Sequence, residues 1–322
     1  MKESDLRKLV EDTQVEISRG NSRIAVLTVS DAVPEILSQL DKKDVASSVV
    51  GIYVVSPIAS PKNVCGVPVR QISALAHDLP TAIVVAVDDE KEAVIEAAIP
   101  YMKGCPKIIV AGYGHYAFRD RLFEEIQTGL LVPSLANGYR HSLVHLYQCL
   151  LNAARLRLQG VVAEFGVFKG GTTMFIASVL ERLGVAWPVI GFDSFAGFPP
   201  KRSPLDMYDH PDCVFTDVEA VRSYLSRANV ELVVGDITET CGRLVEEQIV
   251  ATFMDTDNYT PARAALEIVR ERTVVNGTIV FDHFTGEERF RYTLGERMAA
   301  KILLDDDRYF NLHGTGVFIR QR

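Results

Sequence analysis

Short apolar runs rich in β-branched residues recur along the chain, separated by stretches whose apolar positions fall three and four apart. In the first third the runs are "RIAVLTV", "SVVGIYVV", "TAIVVAV" and "PKIIVAG". Between them lie "DAVPEILSQLD", "GVPVRQISALAH" and "DEKEAVIEAAIPYMK", of which the first and last have helical spacing. Apolar runs joined by helices predict parallel strands buried on both faces. Residues 22–114 therefore read as a small Rossmann-like sheet. The acidic pair Asp88 and Asp89 after "TAIVVAV" reads as a helix N-cap supporting the helix dipole.

From residue 116 to 159 the strand pattern stops. "RDRLFEEIQTGL" and "HSLVHLYQCLLNAARLRL" have helical spacing and are broken by "VPSLANGYR", which predicts a helical joint carrying a loop. His141 and His145, four apart, share a helical face; no third ligand lies nearby, so packing or surface placement is their expected role. From Gly160 a second series begins: "GVVAEFGV", "WPVIGFD", "VELVVGD", "IVATFMD" and "GTIVFD". The last segment, "RYFNLHGTGVFIRQR", predicts two antiparallel strands around a turn. The expected fold class is thus α/β, with a smaller N-terminal domain over residues 1–115, a joint over 116–159 and a larger domain over 160–322. Four of the five parallel strands of the larger domain close on an aspartate: Asp193, Asp236, Asp255 and Asp282. Ligands of open α/β sheets bind outside those strand ends, so four acids there predict a site.

The first strand of each domain ends in a different turn. "TVSDAV" has side chains where a pyrophosphate needs bare backbone, which argues against a dinucleotide in the first domain. Its expected role is association or substrate docking. "EFGVFKGGTT" supplies Gly166, Gly170 and Gly171 ahead of Thr172, but it is neither a Walker loop nor G-x-G-x-x-G. Asp193 is spaced to accept ribose hydroxyls, and Asp236 is a candidate contact for an adenine amine. Glu164, before the turn, suits a cationic or amino-bearing ligand better than a polyphosphate by charge. S-adenosylmethionine, with adenine, ribose, a sulfonium and an amino acid, fits that set.

Composition narrows the partners. The 322 residues carry a net charge of -8 and no basic cluster, which argues against nucleic acid. No apolar run approaches the ~20 residues of a membrane-spanning helix. The start is charged throughout, without the apolar segment of a secretory signal. Five scattered cysteines read as reduced thiols, and the expected location is cytoplasmic.

Four ordered segments, "EFGVFKGGTT", "GFDSFAGFP", "DTDNYTPARAAL" and "NGTIVFDHF", resemble the macrocin O-methyltransferase (TylF/MycF) family from about Leu135 onward. The first domain lies outside the resemblance and looks like small Rossmann-like domains attached to some sugar-nucleotide and polysaccharide enzymes. The resemblance implies a class I methyltransferase sheet and S-adenosylmethionine-dependent methylation of a small-molecule sugar hydroxyl. It also implies a cofactor turn at Glu164, Gly166, Gly170, Gly171, Thr172 and Asp193, with Asp236 near the adenine. The family's magnesium ligands fall on Asp255, Asp282 and His283. Here a histidine stands where the family has a second aspartate, which points toward manganese or another borderline metal, or toward loss of the metal. Asp255 is the first choice as base and ligand together, and His283 is the alternative base.

Asp257 reads as a helix cap, with a ligand role as the alternative, and His313 as a surface turn residue, with a place at the pocket border as the alternative. The Pro-rich segment around "PLDMYDHPDC" reads as a lid, with no role assigned to His210. A homo-oligomer is expected. The rival readings are a non-catalytic sugar-nucleotide binding or scaffolding protein and an NAD oxidoreductase, which the glycine spacing disfavours.

Overall fold

A computed structural model describes residues 3–322 apart from 41, 56–59, 89, 111–117, 119, 137, 139–140, 227 and 286–291. Asp89 and the boundary expected near residue 115 lie outside the described residues. The chain forms two compact units, Met1–Phe118 and Arg119–Arg322.

The first unit contains α1 (Glu3–Ser18), β1 (Ile24–Leu27), α2 (Ala32–Gln39), α3 (Lys42–Ser48), β2 (Val49–Val54), β3 (Asn63–Val64), β4 (Val67–Gln71), α4 (Leu75–Asp78), β5 (Ala82–Val85), α5 (Lys91–Ala98) and β6 (Lys107–Val110). Its strand order is β3-β4-β2-β1-β5-β6, parallel except for β3 against β4. One face buries Leu6, Ile24, Val26 and Ile36, and the other Ala25, Leu27, Tyr53 and Ile83. Burial on both faces is why the runs carry no polar alternation.

Among the elements that escaped the sequence reading are α1 and β4. The charged start hides an amphipathic helix, α1, that buries Leu6, Leu9, Thr13 and Ile17. "GVPVRQ" forms β4, a half-exposed strand near the sheet edge, where Pro68 is tolerated.

The second unit contains α6 (Arg121–Gly129), α7 (Ser142–Arg155), β7 (Val161–Phe165), α8 (Gly171–Leu183), β8 (Val189–Asp193), α9 (Val218–Leu225), β9 (Val230–Val234), α10 (Ile237–Thr240), β10 (Ile249–Met254), α11 (Tyr259–Arg272), β11 (Thr273–Phe281), α12 (Leu294–Ala299), α13 (Lys301–Leu304), β12 (Tyr309–Asn311) and β13 (Val317–Arg320). The order is β12-β13-β11-β10-β7-β8-β9. β7 to β11 run parallel, and β13 runs antiparallel to both β11 and β12. The expected α/β class and the antiparallel finish are both present.

The helices read as a joint pack within this unit. Phe123 of α6 meets Tyr147 of α7 and Phe175 of α8 edge to face, with ring centroids 5.3 and 5.4 Å away. Asp120 caps α6 through the Phe123 N–H and accepts the Tyr147 hydroxyl.

Strand register positions the site. The Asp255 N–H bonds to the Phe165 carbonyl, and the Asp282 N–H bonds to the Met254 carbonyl. Gly166, Asp255 and Asp282 therefore follow one another across the carboxyl edge of the sheet. The chain leaves β7 toward β8 and leaves β10 toward β11, so a crevice opens between β7 and β10, where such sheets bind ligands.

Candidate active site

The glycine turn is shaped by close backbone approach. Gly166 has φ +95°, and a Cβ there would sit 2.0 Å from the Asp255 carbonyl oxygen. A Cβ on Gly171 would sit 2.2 Å from the Pro133 carbonyl. Only glycine satisfies both approaches. Asp193 fastens the turn: its carboxylate accepts the Phe168 N–H at 2.8 Å and the Phe195 N–H at 2.7 Å. Thr172 and Ser134 hydroxyls lie 2.7 Å apart.

A cavity of about 470 Å³ starts at this turn, lined by Gly166, Gly171, Thr172 and Asp193. Its other end is lined by Asp255, Asp257, Asp282 and His283. The volume is in the usual range of small-molecule sites.

Three of the residues expected at the cofactor do not line this cavity. Glu164 is fully buried, and neither carboxyl oxygen has a hydrogen-bond partner among the described residues. Burial pushes its carboxyl up to about 8, with the nearby Asp193 adding to the shift. Gly170 takes φ +81° at the start of α8 and faces Leu225 of α9. Asp236 caps α10, accepting the Thr238 N–H at 2.9 Å, and pairs with Arg202 at 2.7 Å. It faces a smaller cavity of about 230 Å³, while the next residue, Ile237, lines the larger one.

At the far end, His283 Nε2 lies among three carboxylates: 3.0 Å from Asp257, 3.2 Å from Asp282 and 3.6 Å from Asp255. Burial alone would lower its pKa. The hydrogen bond with Asp257 and the charges of Asp255 and Asp282 outweigh burial and raise it to about 10. The Asp255 carboxyl moves well above the usual range, through burial and then the charges of Asp282 and Asp257. Asp282 is oriented from the start of α7 and the segment before it. One of its oxygens accepts the Gly138 N–H at 3.0 Å and the Ser142 hydroxyl, leaving the other toward His283. A Cβ on Gly138 would overlap the Asp282 carbonyl oxygen at 1.8 Å.

Asp255, Asp282 and His283 each offer a ligand atom within 4.8 Å of the others. Two carboxylates and an imidazole at that spacing fit one borderline divalent cation.

Asp257 is not the expected helix cap. It has φ +58° and turns its carboxylate to His283, while Asn258 holds the N-cap position of α11. The two-residue spacing of "DTD" across a tight turn was the available signal. Glu296 was missed altogether. It is fully buried and accepts N–H groups from Thr256, Asp257 and His283, and burial pushes it up to about 7.

The segment read as a lid walls the cavity with Phe198, Tyr208, His210 and Cys213. It is pinned at two points. Asp206 accepts the Arg202 and Ser203 N–H groups and both the N–H and hydroxyl of Thr260, and the Asn258 side chain brackets the Tyr208 backbone. His141, His145 and His313 are not among the lining residues. The five cysteines are free thiols, and no helix among the described residues is long and apolar enough to cross a membrane.

Comparison with known proteins places this architecture. The sequence model of the macrocin-O-methyltransferase (TylF) family matches residues 123–321. No curated protein sequence matches the chain. Among solved structures, the O-methyltransferase NovP is 18% identical over 56% of this chain and 78% of its own, with a TM-score of 0.47. The calicheamicin methyltransferase CalS11 is 22% identical over 63% and 94%, at 0.44. The Podospora anserina methyltransferase PaMTH1, solved with S-adenosylhomocysteine, is 15% identical over 64% and 89%, at 0.38.

Proposed function

The chain belongs to the macrocin-O-methyltransferase (TylF) family of S-adenosylmethionine-dependent O-methyltransferases, and from that premise we propose that it methylates a sugar hydroxyl with the help of a divalent cation. The observation that carries the reading is that a single cavity runs from the glycine turn to the acid–imidazole cluster. Methyl donor and acceptor oxygen must meet without intervening water, and one continuous cavity permits that.

In this reading Asp193 accepts the ribose hydroxyls, and Gly166 and Gly171 let the cofactor lie against bare backbone. The buried, unpartnered Glu164 favours a ligand that brings hydrogen-bond donors to the back of the turn. Phe198 and Tyr208 give the acceptor an apolar face and shield the reacting oxygen. An alcohol attacks a sulfonium only as its proton leaves. Asp255, at the cluster end of the cavity, takes that proton. The methyl group passes from sulfur to oxygen, and the sulfur leaves as the neutral thioether. Asp257 holds the imidazole of His283 beside Asp255; with its pKa pushed up to about 10, His283 must first give up a proton to serve as the alternative base. Asp255, Asp282 and His283 would hold the cation, which when bound lowers the pKa of a coordinated hydroxyl. The sugar class follows from the four-motif resemblance and suits a wall of aromatic rings and carboxylates. We assign the first unit to association of copies or substrate docking.

The test is transfer of labelled methyl from S-adenosylmethionine to a panel of nucleotide sugars and glycosides, before and after exhaustive chelation. Transfer lost with EDTA and restored by manganese or magnesium supports the whole reading. Full turnover without metal removes the cation and leaves Asp255 or His283 acting as base alone.

A further inference from the structure

Two loops carry the side chains of the cluster, one after β10 and one after β11. Their relative placement depends on a third element, α12. One oxygen of Glu296 accepts the Thr256 N–H at 2.7 Å, the Asp257 N–H at 3.0 Å and the Thr256 hydroxyl at 3.1 Å. The other accepts the His283 N–H at 3.2 Å. A fully buried carboxylate is costly unless donors surround it. Here the donors are Thr256 and the backbone of the two residues whose side chains meet at 3.0 Å across the cavity floor.

The origin of Glu296 is itself fixed. A Cβ on the preceding Gly295 would sit 2.1 Å from the Leu205 carbonyl and 2.8 Å from the Tyr259 N, so α12 is wedged against the segment 199–215 and the start of α11. Asp257 is left-handed at φ +58°, a conformation that a non-glycine residue keeps only where its surroundings hold it. The bond from its N–H to Glu296 is such a hold.

We infer that Glu296 is a positioning residue that sets the Asp257–His283 pair by gripping the backbone of both loops at once. It does not line the cavity and acts through those two residues. The inference rests on the methyl-transfer reading for its effect on rate. A carboxylate is required because both arms accept; in glutamine one arm becomes a donor facing an N–H.

The experiment uses Glu296→Gln in the full chain. S-adenosylhomocysteine affinity by calorimetry is expected to stay within about threefold, because the glycine turn is untouched. The kcat is expected to fall about 10- to 100-fold with KM for S-adenosylmethionine unchanged. The imidazole Cε1–H resonance of His283, assigned by its absence in His283→Asn, is expected to shift. An unmoved resonance with unchanged kcat overturns the proposal. So does loss of cofactor affinity together with a broad fall in Tm, which marks a purely structural role. If Glu296→Gln does not fold, Glu296→Asp is read the same way, since it keeps the charge and draws the oxygens back by one methylene. If the wild-type chain methylates no acceptor, the methyl-transfer reading fails, and the His283 resonance alone decides whether Glu296 positions the pair.

Discussion

The two units are built on the same plan, a parallel sheet covered by helices, yet their first strands end differently. After β1 the chain turns through Thr28 at φ +66°, and the Ser30 hydroxyl bonds the Ala86 carbonyl beyond β5 at 2.6 Å. The unit uses its own side chain to tie the strand ends where its connections diverge. After β7 the chain turns through Gly166, whose missing Cβ lets Asp255 approach, and a cavity stands beyond it. In the first unit a hydroxyl bonds across the strand ends; in the second a cavity begins at the turn. A Rossmann-like sheet supplies the location of a site, and the two first turns furnish that location differently.

The comparison breaks most directly at Gly166. Gly166→Ala drives a methyl group into the Asp255 carbonyl, and we expect loss of S-adenosylhomocysteine binding with destabilisation of more than about 4 kcal/mol. Calorimetry and urea unfolding measure both; a stable variant that still binds would show that the close approach is dispensable. Asp255→Asn should follow, with methyl transfer falling on the order of a thousandfold while cofactor affinity is kept, since the turn and Asp193 are intact. Equal loss of binding and rate would place Asp255 in the cofactor site instead.

One acid from each unit sharpens the contrast, because Glu164 and Asp78 shift in opposite directions. Glu164 is pushed up to about 8 by burial. The folded chain therefore keeps a proton that the unfolded chain releases above its ordinary value of 4.5, and stability falls as pH rises from there to about 8. Glu164→Gln removes that loss, so its advantage over wild type should grow with pH to as much as about 5 kcal/mol above pH 8. For Asp78 in the first unit, burial would raise the pKa, but bonds from Tyr53 and Arg70 hold it below the usual value. Its contribution is present above the unfolded pKa and is lost as pH falls through the folded one, so Asp78→Asn should be destabilising at neutral pH and converge on wild type in acid. Thermal unfolding of both variants across pH, without cofactor, reads the two slopes; parallel slopes would contradict the assignment.

The smallest effect is expected at Thr28, where glycine relieves a left-handed β-branched residue but adds unfolded-state freedom. Thr28→Gly should be stabilising by about 0.5 kcal/mol, opposite in sign to the change at Gly166.

Much of this was legible in one dimension. Strand runs, the glycine turn and the strand-end aspartates are local patterns, set by backbone sterics and by burial on both sheet faces, so they survive in the sequence alone. The residues that escaped depend on distant neighbours. Asp257 looks like a cap until the turn after β10 takes φ +58° and aims it at His283. Glu296 is a helix residue among charged neighbours until folding brings two loops, about 40 and 13 positions away in the chain, onto its carboxylate. Asp236 has the spacing of an adenine contact, and only the fold shows that Arg202, far off in sequence, pairs with it. The amino-acid sequence by itself determined the α/β plan, the family and the edge of the sheet where chemistry would occur. Tertiary structure decided which acids face the cavity, which are buried behind it and what holds them, because each of those outcomes is a competition for hydrogen bonds and solvent between residues that become neighbours only in the folded chain.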